Sequence, residues 1–205
     1  MIPSLKTYSP LILFIFHFFG VLLFLYNPQS AQLSFLTIIL CGLLILLHEK
    51  ESRNYMVYLA IALAGYLVEI IGVNTHYLFG SYTYGDSLGI KLFNVPPLIG
   101  LNWLVIVISG ASIARRLFHK KPLWFIALIS ALICTFLDVI IEPVAVKFNF
   151  WVWDSGSIPV YNYICWIVLS FLFSLFYLRN KIHVNKMGSY VYGLWVLFFT
   201  FLNFI

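Results

Sequence analysis

Residues 123–144, LWFIALISALICTFLDVIIEPV, carry no charge except Asp138 and Glu142. The run matches the roughly 20 residues that a membrane-spanning helix needs. Acids in hydrocarbon are costly, so they usually face a bundle interior and serve a function. Asp138 and Glu142 are four residues apart and share one helical face. Pro143 cannot donate to the helical ladder, so the helix is predicted to end close to Glu142. Similar apolar runs cover 10–26, 33–47, 55–73, 97–113, 161–178 and 190–205. With 62% hydrophobic and only 9% charged residues, the chain does not describe a soluble domain. The reading is all-α: a polytopic integral membrane helical bundle of about seven transmembrane helices, residues 1–205 forming one domain.

Charge predicts the orientation. Lys6, Lys50, Arg53, Arg115, Arg116, Lys120, Lys121, Arg179, Lys181 and Lys186 fall on one side of such a bundle, and only Lys91 and Lys147 on the other. By the positive-inside rule the amino terminus is cytoplasmic and the carboxyl terminus outside, in a bacterial inner membrane. The net charge of +5 is then a topology signal and gives no support to a nucleic-acid partner. The first apolar run has no small-residue cleavage site after it, so it reads as an uncleaved first helix. Cys41, Cys134 and Cys165 stand singly within helices and read as small core residues.

Glu69 in the run 55–73 repeats the theme. Glu69 is followed thirteen residues on by Tyr82 and then Tyr84, and Asp138 by Trp151 and then Trp153. A shift of 69 residues also aligns Phe79 with Phe148, and after a shortened loop Pro96 with Pro159 and Trp103 with Trp166. This suggests an internal parallel repeat, copies at about 60–113 and 129–178, related by a pseudo-twofold axis along the bilayer normal. Both acids would then open into one cavity under two aromatic, nearly uncharged outer loops.

Glu69 and Asp138 are the catalytic candidates. Two acids sharing an apolar site resist losing both protons, which offers an acid and a base together. Glu142, Asn74, Asn102 and Asn162 are candidate supporting groups that hold water or a carboxylate; Asn102 is a candidate cap for Glu69. An interior Asn can equally tie two helices together. Taken singly, Tyr82, Tyr84, Trp151 and Trp153 suit a membrane-interface belt. In period-two pairs their faces also suit a cation and a flat polyene.

Some absences narrow the chemistry. His17, His48, His76, His119 and His183 show no HxxxH or HxxH spacing, against a histidine-rich di-iron enzyme. No GxGxxG opens a helix after a strand, against a flavin or nicotinamide cofactor. Residues 190–205 contain no lysine for a retinal Schiff base. What fits is proton-initiated chemistry on a hydrophobic alkene, with no metal and no cofactor: a tertiary carbocation that water captures or ring closure quenches.

The run Glu69-Ile70-Ile71-Gly72-Val73-Asn74-Thr75, then Phe79-Gly80-Ser81-Tyr82-Thr83-Tyr84 and Asn102-Trp103, resembles the carotenoid 1,2-hydratases of the CruF type. Asp138, Glu142-Pro143, Trp151-Val152-Trp153, Asn162 and Trp166 are similar to that family's second signature. The likeness implies hydration of the terminal double bond of an acyclic or monocyclic carotenoid, taken from the bilayer, with membrane lipid around it and later carotenoid-modifying enzymes as partners. The candidate substrate contacts are His76, Phe79, Tyr82, Tyr84, Trp103, Trp151, Trp153 and Trp166. His76 departs from the pattern, which has glycine after Thr75. A cyclase using the same cation, and a proton-coupled transporter or lipid-binding protein using the acids as a relay, are the alternatives.

Overall fold

The computed structural model describes residues 5–180 and 183–205; residues 1–4 and Lys181, one of the basic residues counted above, lie outside the described residues. The helices are α1 (Leu5–Tyr26), α2 (Ser34–Leu47) after a 3₁₀ turn (Pro28–Leu33), α3 (Asn54–Thr75), α4 (Leu98–Leu117), α5 (Leu123–Lys147), α6 (Val160–Arg179) and α7 (Lys186–Asn203). Strand β1 (Tyr82–Tyr84) joins α3 to α4, and β2 (Trp151–Trp153) joins α5 to α6. Helices dominate because hydrocarbon offers no partner for backbone N–H and C=O groups. Six of them, with the 3₁₀ turn counted into α2, are long and apolar enough to cross a membrane. The expected seventh, α7, is not among the six. Its Lys186, Ser189, Tyr190, Tyr192 and Asn203 dilute its apolar content, although Val191, Trp195 and Leu202 are buried in the bundle.

The helical periodicity sorts side chains by solvent. On α3, Leu59, Leu63 and Leu67 recur every fourth residue and stay exposed, a lipid-facing stripe. On α4, the central helix, Trp103, Val105, Val107, Ile108 and Ala111 are wholly buried. Small residues let α3 and α4 approach closely, since a side chain at Gly65 would strike the Trp103 ring base at 2.4 Å, and one at Gly100 would strike the Ala62 carbonyl at 2.5 Å.

Pro143 does not end α5, which runs on to Lys147. Its fixed φ suits a helix, and one missing donor is tolerable where neighbouring groups compensate. The loops that follow α3 and α5 fold back over the bundle as a short ribbon. β1 and β2 pair antiparallel in the register Tyr82↔Trp153, Thr83↔Val152 and Tyr84↔Trp151. Strand alternation turns Tyr82, Tyr84 and Trp153 into the protein and leaves Thr83 and Val152 outside. A Ser81 hydroxyl to Asp154 hydrogen bond ties the loops beside the ribbon.

Candidate active site

Glu69 lies one turn beyond Gly65 on α3, where the close crossing with α4 brings Trp103 alongside it. Its carboxylate is 5% exposed and accepts three hydrogen bonds. Tyr82 and Tyr84 donate their hydroxyls to Oε2 at 2.5 and 2.7 Å, and Trp103 donates Nε1–H to Oε1 at 2.8 Å. Burial, followed by the neighbouring Glu69 carboxyl, pushes both tyrosine pKa values well above the ordinary phenol range, so each stays an O–H donor.

The α5 side is built differently. Glu142 also has three donors, Trp151 and Trp153 Nε1–H on Oε2 at 2.9 and 3.1 Å and Asn162 Nδ2–H on Oε1 at 3.2 Å. Asp138, one turn deeper and only 2% exposed, is met by Asn162 Nδ2–H alone, at 3.1 Å. A carboxylate has about four acceptor positions, so Asp138 is far less satisfied than its two neighbours. The three acids border one cavity of about 30 Å³, room for about two waters. Trp166 lines the cavity and stacks on Trp103 behind it, centroids 4.1 Å apart and planes 12° from parallel.

The family of carotenoid biosynthesis proteins matches residues 18–205. The chain belongs to that family. It is also similar to a bisanhydrobacterioruberin hydratase from Haloarcula japonica, 27% identical over 124 residues, covering 58% of this chain and 42% of the relative. The chain therefore matches under half of that hydratase's length. No solved structure matches the chain significantly.

In this carotenoid biosynthesis protein the cavity gathers Glu69, Asp138, Glu142, Asn102, Asn162, Phe79, Tyr82, Tyr84, Trp151, Trp153 and Trp166. Three expected residues do not line it. Asn74 is taken up by the loop, donating to the Ile70 and Phe93 carbonyls at 2.8 and 3.0 Å and accepting from Asn94 at 2.9 Å. His76 is exposed and terminates α3 in the left-handed region, φ 60°, its N–H bonded to the Gly72 carbonyl. Trp103 stands behind Glu69 and holds it rather than facing the cavity. Asn102 lines the cavity but does not cap Glu69, whose acceptor positions the two tyrosines and Trp103 occupy.

Ile99, an apolar wall of the cavity, went unread in the sequence, although it lies four residues before Trp103 on one helical face. The aromatic pair of the second loop binds Glu142, one turn beyond the Asp138 that sequence alignment sets against Glu69. Among the described residues no group of three or more His, Cys, Asp or Glu is arranged to hold a metal ion.

Proposed function

We propose that the chain is a carotenoid hydratase that adds water across the terminal double bond of an acyclic or monocyclic carotenoid. The observation that carries this reading is the unequal supply of donors. Glu69 and Glu142 each receive three hydrogen bonds, the environment an anion requires, while Asp138 receives one. Asp138 is thus the acid that carries a proton, and Glu69 is the base. The name of the Haloarcula japonica relative supports the same chemistry.

In the proposed reaction the Asp138 O–H proton passes to the less substituted carbon of the terminal alkene, whose π pair forms the new C–H bond. The other carbon becomes a tertiary cation, faced by the aromatic rings of the ribbon and by carboxylates. Water attacks that carbon, its oxygen lone pair forming the C–O bond, and its surplus proton goes to Glu69. Transfer from Glu69 to Asp138 through water restores the site. Positioned proton transfer supplies roughly 10²–10⁴-fold, and fixed charges facing the cation must supply the remainder. Asn102, which lines the cavity without capping Glu69, is suited to orient the attacking water.

The chain is read as one transmembrane domain with its amino terminus cytoplasmic and the ribbon on the outer side. The ribbon register supports a twofold relation between the loops, because it pairs Tyr82 with Trp153 and Tyr84 with Trp151 about the central Thr83 and Val152. The test is expression in bacteria that make lycopene or γ-carotene, followed by chromatography and mass spectrometry of the pigments. A product heavier by one water, lost in Asp138→Asn, is expected. A product of unchanged mass but altered retention indicates cyclisation, and unaltered pigment with proton flux across the membrane indicates a relay.

A further inference from the structure

We infer that the groove between α1, α2 and α7 holds the long chain of the polyene, and that the reacting end passes from this groove through a middle cavity to the acids. The identity of the occupant rests on the hydratase reading. The acid cavity, at about 30 Å³, can accept an end group at most, so the rest of a carotenoid must lie elsewhere along a connected apolar path.

Such a path is present. The groove has a volume of about 400 Å³ and walls that include Ile15, Phe19, Leu23 and Phe198. A smaller cavity of about 40 Å³ shares Phe24, Ser34, Thr37 and Phe198 with it. That cavity in turn shares Ile99, Asn102 and Trp151 with the acid pocket. The constriction is aromatic: Phe24 and Phe198 meet edge to face with centroids 5.9 Å apart, and these rings turn aside as the end group passes.

Three features favour a polyene from the bilayer. Phe14, Phe18, Phe19 and Leu23 on α1 are about half exposed, so this edge of the bundle opens onto lipid. Gly20 sets the groove's width, since an added Cβ would meet only the Phe198 ring, at 3.5 Å. The groove's polar atoms are few, and His17 Nε2, Ser30 Oγ and Ser34 Oγ have no partner among the described residues, leaving a place for a hydroxyl or a water beside the chain. A second apolar hollow, bordered by Ile39, reaches the middle cavity only through Leu88, a narrower junction than the four residues shared with the groove.

The test is pigment retention. Wild type, Asp138→Asn, Thr37→Trp, Gly20→Leu and Ile39→Trp are purified in detergent from lycopene-making cells, and bound pigment, bound phospholipid and Tm are measured. Wild type, Asp138→Asn and Ile39→Trp are expected to carry pigment alike. Thr37→Trp and Gly20→Leu, which fill the groove from opposite walls, are expected to carry about tenfold less, because overpacking by even ~1.4 kcal/mol has that effect on binding. Unchanged Tm in either groove variant excludes misfolding as the cause. Full pigment in both groove variants, pigment lost only in Ile39→Trp, phospholipid as the sole occupant, or no pigment in wild type would each overturn the inference. Pigment bound in the groove but never hydrated would overturn the hydratase reading and leave the groove standing.

Discussion

Two buried carboxylate clusters stand near opposite ends of α3, and they are satisfied in opposite ways. At the start of α3, Glu49 is 8% exposed and accepts from the Lys50 and Glu51 backbone N–H groups at 2.7 and 3.0 Å, from Asn54 Nδ2–H at 2.9 Å and from the Tyr58 hydroxyl at 2.6 Å. Asn185 extends the joint, capping α7 through the Met187 and Gly188 N–H groups and donating to the Ile45 carbonyl at 3.0 Å. Every acceptor position of Glu49 is filled by protein. About 22 Å along α3 from Asn54 stands Glu69, and in the cavity beside it Asp138 of α5 has one donor. A buried acid with its full set of donors joins helices. A buried acid left short, beside space for a substrate, is equipped to exchange a proton.

The sharpest break of this comparison is a pair of substitutions with opposite readouts. Asp138→Asn is expected to lower hydration at least about 100-fold while leaving Tm unchanged or raised, since a poorly satisfied buried acid is a cost to folding. Full hydration activity in Asp138→Asn would remove Asp138 from the mechanism. Tyr58→Phe, at the other cluster, is expected to cost about 1.5–3 kcal/mol of stability and to leave activity per folded molecule intact.

The pH dependence of stability sharpens the same contrast. Burial alone would raise the Glu49 pKa, but the bonds from Tyr58, the Glu51 N–H, Asn54 and the Lys50 N–H outweigh it and hold the pKa below the usual glutamate value. A folded pKa lower than the unfolded one gives stability that is present above the unfolded value, about 4.3, and lost as pH falls through the folded value. Glu49→Gln is therefore expected to melt below wild type at neutral pH and to approach it in acid. A Tm gap that persists in acid would show that shape, not charge, makes the joint.

Within the site, Tyr84→Phe removes one of three donors from Glu69. A hydrogen bond to a charged group is worth about 1.5–3 kcal/mol, so activity is expected to fall about tenfold or more while pigment retention is kept. Equal losses of activity and of bound pigment would make Tyr84 a wall of the binding site instead.

Much of this site was legible because a charge in hydrocarbon has few innocent explanations. Glu69, Asp138 and Glu142 stand out for that reason, and the period-two aromatic pairs follow from strand alternation, which needs only local sequence. What escaped is non-local. The pairing of Tyr82 with Trp153 depends on where two distant loops meet. Glu142 takes the tryptophan donors only because α5 continues past Pro143 and positions that turn under the ribbon. Asn74 looked free for water, yet the carbonyls of Ile70 and Phe93 claim its amide. The seventh helix is present, but its polar positions leave it outside the six that are long and apolar enough to cross a membrane.

His76 supplies the smallest expected effect and separates backbone from side chain. It ends α3 at φ 60°, where its N–H reaches the Gly72 carbonyl at 2.8 Å. That is the left-handed cap conformation in which glycine is favoured, because any Cβ crowds the following carbonyl. The glycine expected after Thr75 from family resemblance is thus explained by chain geometry, with no part for the imidazole, which is exposed and outside the cavity. His76→Gly is expected to stabilise the protein by about 1 kcal/mol, seen as a raised Tm in detergent, with hydration and pigment retention unchanged. A loss of activity in His76→Gly, at equal or higher Tm, would instead make the imidazole part of the reaction and extend the functional end of α3 beyond Glu69.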